Sequence, residues 1–232
     1  MLKKSRLGFL ICFVLAILAT ACSTGQVDEN DPASLYKDAE AEIQSDHYQI
    51  AVEKLRTIKN KFPYSKFATE AHLKIGDVYF LQESFAEAAS VYEAFRDLHP
   101  KHEKTPYAMF RIGKSYFNDT PGAIARDMTP AYKAVDAYTE FLQRFPNAPE
   151  APEAKKDVEK IRGFLAEKEL YIANFYLKRD FYESAKPRFK KVLELYPETE
   201  AAKTAEEKLS IIDEKLKAGG SDKNDRDYRK SE

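Results

Sequence analysis

Apolar residues recur along most of the chain at the three- and four-residue spacing of amphipathic helices, and short polar connections separate these segments. The pattern predicts paired helices at 33–45 with 48–61, 68–81 with 85–98, 105–117 with 130–145, and 165–178 with 181–195, then a terminal helix at 200–217. Connections as short as 82–84 and 178–180 make the two helices of a pair antiparallel neighbours. The predicted fold class is therefore all-α.

A proline returns at the end of the second helix of each pair, directly after an aromatic residue or a histidine, at Pro63, Pro100, Pro146 and Pro197. Alanine stands 12 residues before all four prolines, and a small residue stands 24 residues before three of them, at Ala39, Gly76 and Ala173. Small residues at fixed positions let two helices cross closely, and proline then ends the second helix. This is the pattern of tetratricopeptide (TPR) repeats, and it predicts a right-handed α-solenoid of about five TPR-like hairpins over residues 33–217.

Two segments depart from the repeat. The third hairpin holds about nine more residues between Tyr116 and Ala134 than the second does at the same place, and its segment 118–130 contains two prolines and a glycine. We interpret this insertion as either a partner contact or a tolerated loop.

Between Pro146 and the last full repeat, apolar residues stay on one helical face from 151 to 178, and a lone glycine such as Gly163 costs only ~1 kcal/mol in a helix. One long helix is expected there, with two helices that break near Gly163 as the alternative.

The first residues have the layout of a secretory signal. Three basic residues precede a short apolar run, and Ala19-Thr20-Ala21 leads into Cys22. The stretch resembles a bacterial lipobox, so we expect a signal peptide at 1–21 and diacylglycerol and fatty acyl groups on Cys22. Ordinary cleavage that leaves Cys22 as a free thiol is the alternative.

Residues 22–32 are expected to form a flexible tether, and 218–232 a disordered charged tail. Lipoproteins kept in the inner membrane usually carry Asp after the cysteine, whereas this chain has Ser23, so the resemblance implies sorting to the outer membrane, on its periplasmic face.

The composition points away from several classes of function. The formal net charge is only −1, which argues against nucleic acid as a partner. Ser and Asp residues occur without a nucleophile elbow or a glycine-rich phosphate loop, so no enzyme activity is expected. His99 and His102 have a metal-ligand spacing but no evident third ligand, so we expect no metal and no cofactor. His47 and His72 are expected to be packing or surface residues.

Recognition of another polypeptide remains, because stacked helical hairpins offer a concave surface lined by their first helices. The TPR positions that face this groove fall on Leu73, Asp77, Phe80, Tyr107, Phe110 and Lys114. Apolar residues at such positions either form a peptide groove or are covered by flanking elements. The turn after the first hairpin adds Phe62, Tyr64 and Phe67, which either staple neighbouring repeats or form an aromatic pocket.

The order of these features is similar to that of one family. A lipobox, a tether, TPR-like units with an insertion in the third, a long helix and a charged tail together resemble the BamD (ComL/YfiO) family of outer-membrane β-barrel assembly (BAM) lipoproteins. The motifs that carry the resemblance are Phe62-Pro63-Tyr64, Arg126-Asp127, Phe145-Pro146-Asn147, the run from Tyr171 to Tyr176, Arg188, and Tyr196-Pro197-Glu198-Thr199.

The resemblance implies a non-enzymatic adaptor. It would dock on the POTRA domains of a BamA-like outer-membrane barrel protein, contact unfolded outer-membrane protein precursors, and join other BAM lipoproteins. Phe62 would contact precursors, whereas Arg126, Asp127 and Arg188 would serve the BamA-like partner. The alternative is a periplasmic TPR lipoprotein scaffold that coordinates cell-wall or envelope processes. Such scaffolds usually carry an N-terminal coiled coil, and no sustained heptad pattern precedes residue 33 here.

Overall fold

The computed structural model describes residues 27–218, and within that range the chain forms nine helices and no strand. The helices are α1 (Pro32–Gln44), α2 (Tyr48–Lys61), α3 (Lys66–Leu81), α4 (Phe85–Leu98), α5 (Thr105–Asp119), α6 (Thr129–Arg144), α7 (Ala151–Leu177), α8 (Tyr182–Leu195) and α9 (Glu200–Lys217). With 151–178 counted as one helix, each boundary lies within two residues of the predicted one, and the helices confirm the all-α TPR-type solenoid. The predicted signal peptide, Cys22 and residues 219–232 of the predicted tail lie outside the described residues.

Three hairpins turn through the same backbone motif. The turns after α1, α3 and α7 each contain one residue with a positive φ of 57–59°, at Asp46, Glu83 and Asp180. The next residue donates its N–H to a carbonyl five residues earlier, as in His47 to Glu42, Ser84 to Tyr79 and Phe181 to Tyr176. This is the Schellman arrangement that satisfies the last carbonyls of a helix. The three turns are therefore short and alike, and they return the chain antiparallel.

The repeated prolines end the second helices as predicted. Residues Phe62, His99, Phe145 and Tyr196 cap α2, α4, α6 and α8, and their φ angles lie between −126° and −136°. A proline disfavours the helical conformation of the residue before it, so each cap leaves the helix just before the ring. Each cap residue still donates its N–H to the helix that it ends.

The small residues of the repeat lie at the helix crossings. All four alanines before the prolines are fully buried, and so are Ala39 and Ala173. A Cβ added to Gly76 would lie 2.8 Å from the Tyr92 ring, and one added to Gly113 would lie 2.5 Å from the Tyr138 ring. Both distances are shorter than a van der Waals contact, so the rings of the second helices occupy the space that a side chain would need.

The start of α1 is fixed on both sides. The Asp31 side chain accepts hydrogen bonds from the N–H groups of Ala33 and Ser34, with Pro32 as the first helical residue. Before it, Lys61 at the end of α2 donates to the Glu29 carbonyl and to the Asn30 side chain. The last residues of the segment assigned to the tether are therefore held against α2.

One uninterrupted helix, α7, spans the region where a further hairpin would stand, which confirms the expectation of a single long helix. Its first half contacts α5 and α6 through Asp157, which accepts hydrogen bonds from Lys114 and Tyr138. Its second half contacts α8 through Glu169, which is ion-paired with Lys191. A Cβ at Gly163 would meet no atom within 4 Å, so this glycine interrupts the pattern without serving a close contact.

The apolar core follows the chain from repeat to repeat. One cluster joins α1, α2 and α3, a second joins α3, α4 and α5, and a third runs from α5 through α6, α7 and α8 to α9. Neighbouring hairpins therefore stabilise one another, as in other solenoids. The first helices α1, α3 and α5 border a common cleft, on the side where a groove is expected.

The glycines provide a matched test of this packing. We expect Gly113→Ala to lower the free energy of unfolding by ~1–3 kcal/mol, because the methyl group would overlap the Tyr138 ring. Gly163→Ala should raise it by ~0.5–1 kcal/mol, because the position is open and alanine favours the helix. Urea unfolding followed by circular dichroism measures both changes. A gain in stability for Gly113→Ala as well would show that the crossing at Gly113 is not close, and a loss for Gly163→Ala would show that position 163 is not open.

Candidate binding surfaces

A cleft of about 340 Å³ opens between α1, α3 and α5 in the N-terminal half. It contains three of the residues that the sequence assigned to the groove, Leu73, Asp77 and Tyr107, together with Tyr36 of α1. Charged side chains at its edge come from Glu70, Lys74 and Lys104. The surface is thus part aromatic and part charged, which suits a polypeptide segment with mixed side chains.

Asp77 organises one wall of the cleft. Its Oδ1 accepts hydrogen bonds from the hydroxyls of Tyr92 at 2.7 Å and Tyr107 at 2.8 Å. Burial and the Asp77 carboxylate together raise the pKa of both phenols, which remain protonated as donors. The groove position Asp77 therefore joins the helix crossing at Tyr92 to the next repeat at Tyr107.

Arg111 is a groove residue that the sequence reasoning missed. Its guanidinium lies 3.7 Å from the centre of the Phe80 ring, and its Nε donates to the Tyr92 hydroxyl at 3.2 Å. Phe80 itself is half-buried. The available signal was its position one helical turn after Tyr107, on the same face of α5.

Leu73 and Phe110 correct the expectation of an open apolar groove, because both are buried, with 4% and 6% of their surface exposed. Leu73 belongs to the core cluster of Phe95 and Ile112. The Phe110 ring lies 5.8 Å from that of Phe141. Aromatic side chains from the second helices reach across and cover both positions, so Leu73 and Phe110 pack the repeats together.

Lys114 does not present a free cation to the groove. Its Nζ lies 2.8 Å from Asp157 and 2.7 Å from Glu153, both on α7. Burial alone would lower the pKa of Lys114, but the hydrogen bonds to Asp157 and Glu153 raise it overall. Tyr138 also donates to Asp157 at 2.8 Å. Lys114 thus links the third hairpin to α7.

The three aromatics after the first hairpin divide between packing and exposure. Phe67 lies 5.7 Å from the Tyr36 ring, and Phe62 is half-buried against the first core cluster. Tyr64 is fully exposed. The residues that follow the other repeated prolines are Lys101, Asn147 and Glu198, so Tyr64 is the one aromatic residue at this place in the four turns.

The insertion in the third hairpin is held against α7. Lys168 donates to the carbonyls of Arg126 at 2.6 Å and Ile124 at 3.4 Å. Asp127 accepts hydrogen bonds from the hydroxyl and the N–H of Thr129, which hold the pKa of Asp127 below its ordinary value. The side chains of Arg126 and Asp127 are both exposed. The insertion therefore presents this pair from a fixed backbone.

Arg188 lies next to a buried carboxylate. Its Nη1 is 3.6 Å from Glu169 Oε2, while Lys191 Nζ is 2.6 Å from Glu169 Oε1. The side chain of Glu169 is 5% exposed, whereas that of Arg188 is 42% exposed. Arg188 thus combines a stabilising contact with a surface that a partner could reach.

Three of the four histidines serve packing, whereas His47 is exposed and lies 2.9 Å from Glu42. The rings of His72, His99 and His102 lie 5.0–5.7 Å from the Phe95 ring. Burial, with smaller effects of Lys59 and His99, lowers the pKa of His72 to about 4. Within residues 27–218, no three His, Cys, Asp or Glu side chains lie together as candidate metal ligands. No helix in that range is both long and apolar enough to cross a membrane.

Comparison with known proteins identifies the family of this chain. The chain matches the family described as YfiO, outer membrane lipoprotein, over residues 28–230. The chain belongs to this family. The match spans every helix described above and confirms the resemblance to the BamD family.

The curated relatives include several proteins named BamD. The chain is 28% identical to the outer membrane protein assembly factor BamD of Vibrio cholerae, over 87% of each protein. It is 29% identical to BamD of Neisseria meningitidis serogroup A, over 88% of this chain and 82% of that one. Among solved structures, MamA from Desulfovibrio magneticus RS-1 is similar with a TM-score of 0.40 and 21% identity, over 72% of this chain and 76% of that one. A putative kinesin light chain with TPR-like repeats has a TM-score of 0.42 and 16% identity, over 80% and 83% of the two chains.

Proposed function

We propose that this YfiO-family chain is a non-enzymatic assembly factor for outer-membrane β-barrel proteins. The observation that carries the proposal is the similarity, over nearly the whole chain, to assembly factors named BamD from several bacteria. This similarity favours assembly of outer-membrane proteins over the cell-wall scaffold that the sequence left open. The chain would act by holding two kinds of polypeptide on one rigid stack of repeats.

The two binding tasks would fall on different halves. The cleft between α1, α3 and α5, with Tyr64 exposed beyond it, would hold extended segments of unfolded barrel precursors. The insertion and α8 would hold a BamA-like barrel protein through Arg126, Asp127 and Arg188. What supports this division is the fixed presentation of the insertion by Lys168 and the half-exposed position of Arg188. Other BAM lipoproteins would complete the assembly.

A lipid on Cys22 would place these surfaces at the periplasmic face of the outer membrane. The proposal rests on the lipobox-like sequence before Cys22. Acyl chains bind membranes by burying CH₂ groups at ~0.8 kcal/mol each.

Cys22→Ser should therefore move the protein from the membrane fraction to the soluble periplasmic fraction. Cell fractionation with immunoblotting measures the distribution, and incorporation of labelled palmitate should be lost in parallel. A variant that stays in the membrane without label would contradict lipid anchoring.

Arg188→Ala should weaken binding to the periplasmic domains of the BamA-like protein by about tenfold or more, as for other interface arginines. It should also lower the free energy of unfolding by ~1 kcal/mol, because Glu169 loses one of its two cations. Lys186→Ala is the matched control, since Lys186 lies on the same helix and is ion-paired with Asp213. Calorimetric titration at a temperature where all variants are folded separates the two effects.

The N-terminal half is tested by the same calorimetric titration with an unfolded precursor segment as the ligand. Tyr64→Ala should leave the free energy of unfolding unchanged, because the side chain is fully exposed, and should weaken binding of an unfolded precursor segment. Arg188→Ala should leave precursor binding unaltered. If both variants lose the same partner, or if Lys186→Ala equals Arg188→Ala, the division between the two halves is wrong.

A further inference from the structure

The second half of α7 leaves open a face that the other interior repeats cover. In α3 and α5, the residue two positions after the glycine at the crossing is fully buried, at Val78 and Ser115. Val78 packs in the cluster that α2 contributes to, so the preceding second helix covers this face. In α7 the matching residue after Ala173 is Phe175, which is 45% exposed. The face of α7 that contains Phe175 is therefore exposed to solvent, whereas the matching faces of α3 and α5 pack against a preceding helix.

This face carries a regular arrangement of aromatic and basic residues. Counting along α7 and its C-terminal turn at spacings of three and four gives one side of the helix, here called the aromatic–cationic stripe. Its members are Lys160, Phe164, Lys168, Tyr171, Phe175, Lys178 and Arg179. At 1.5 Å per residue the stripe is roughly 29 Å long. These members are three aromatic residues and four cations, and one carboxylate, Glu167, lies at the edge of the stripe, three residues after Phe164 and four before Tyr171.

Contacts along the stripe fix its aromatic rings. The Arg179 guanidinium lies 3.7 Å from the centre of the Phe175 ring, and the Lys160 ammonium lies 5.9 Å from that of Phe164. Tyr171, midway along, is 53% exposed. Lys168 is the member that holds the insertion loop. An exposed apolar surface of this kind with a basic rim is typical of protein interaction sites.

The surroundings of the stripe limit what could bind. Lys160 and Phe164 lie in a cleft of about 410 Å³, whose other walls come from Glu83, Phe85, Phe117 and the start of the insertion. A helix is the ligand that the face of α7 favours, because helices cover the equivalent faces of α3 and α5.

We propose that the stripe docks an acidic amphipathic helix of a partner protein, with aliphatic side chains on Tyr171 and Phe175 and carboxylates toward Lys160, Lys178 and Arg179. The four cations against Glu167 alone make the stripe net positive, which favours an acidic ligand. The ligand would occupy the place of a missing preceding helix. This proposal rests on the proposed adaptor function only because it requires a protein partner. The stripe is a different surface from the one that contains Arg188.

The probe is a fluorescein-labelled, 18-residue helical peptide with leucines at helical spacing, glutamates on the flanks and alanines elsewhere. Its affinity for the purified full-length protein in neutral detergent is measured by fluorescence anisotropy, and peptide helicity by circular dichroism. The double variant Tyr171→Ala with Phe175→Ala should weaken binding at least tenfold. Lys178→Glu with Arg179→Glu should do the same and reduce the salt dependence.

The matched control is Ile50→Ala with Leu98→Ala, which removes exposed apolar side chains elsewhere and should change the affinity less than twofold. A peptide with lysines in place of the glutamates should not bind. Absence of binding by the unsubstituted protein, equal binding of the lysine peptide, or loss in the control variant would overturn the proposal. So would stripe-dependent binding of phosphatidylglycerol vesicles without peptide binding. Arg188→Ala should leave peptide affinity unchanged, so failure here is distinguishable from failure of the two-ended adaptor.

Discussion

The fold depends on the close approach of a small residue on one helix to a large ring on the next. Gly76 against Tyr92 and Gly113 against Tyr138 set the distance between the two helices of a hairpin. In the second hairpin the same contact also builds the groove, because the Tyr92 hydroxyl reaches Asp77 next to the glycine. One packing constraint thus places a core ring and orients a surface carboxylate. Repeat packing and the chemistry of the groove are not independent.

The polar contacts made at these helix crossings differ between the second and the third hairpin. In the third hairpin, Lys114 stands where the second has Asp77, and Tyr138 turns to Asp157 on α7. In the second hairpin the tyrosine hydroxyl of the crossing donates to a residue of the same hairpin, Asp77, whereas in the third hairpin it donates to a residue of the following helix, Asp157. The contact with Asp157 anchors the first half of α7 and leaves the second half to pair with α8. The buried Glu169, the fixed insertion and the aromatic–cationic stripe all follow from that extended helix.

The sequence predicted what local physics decides. Helix boundaries, the stop at each proline, the buried alanines and the continuity of α7 follow from spacing, backbone preference and the small cost of Gly163. Burial in the groove was predicted less well, because Leu73 and Phe110 are covered by rings that lie more than 20 residues away in the chain. The role of Lys168 was missed for the same reason, whereas Arg111 offered a local signal in its position one helical turn after Tyr107. Lys168 binds the carbonyl of a residue 42 positions earlier, a contact that no local pattern records.

If one stack of repeats carries two separate polypeptide-binding surfaces, it should bind both polypeptides at the same time. The periplasmic domains of the BamA-like protein are immobilised, the purified chain is captured on them, and a labelled unfolded precursor segment is titrated over the complex by surface plasmon resonance. We expect a precursor affinity within about threefold of that for the free chain, with no release of the captured chain. Displacement of the chain by the precursor, or failure of the complex to bind it, would show that the two polypeptides compete for one surface.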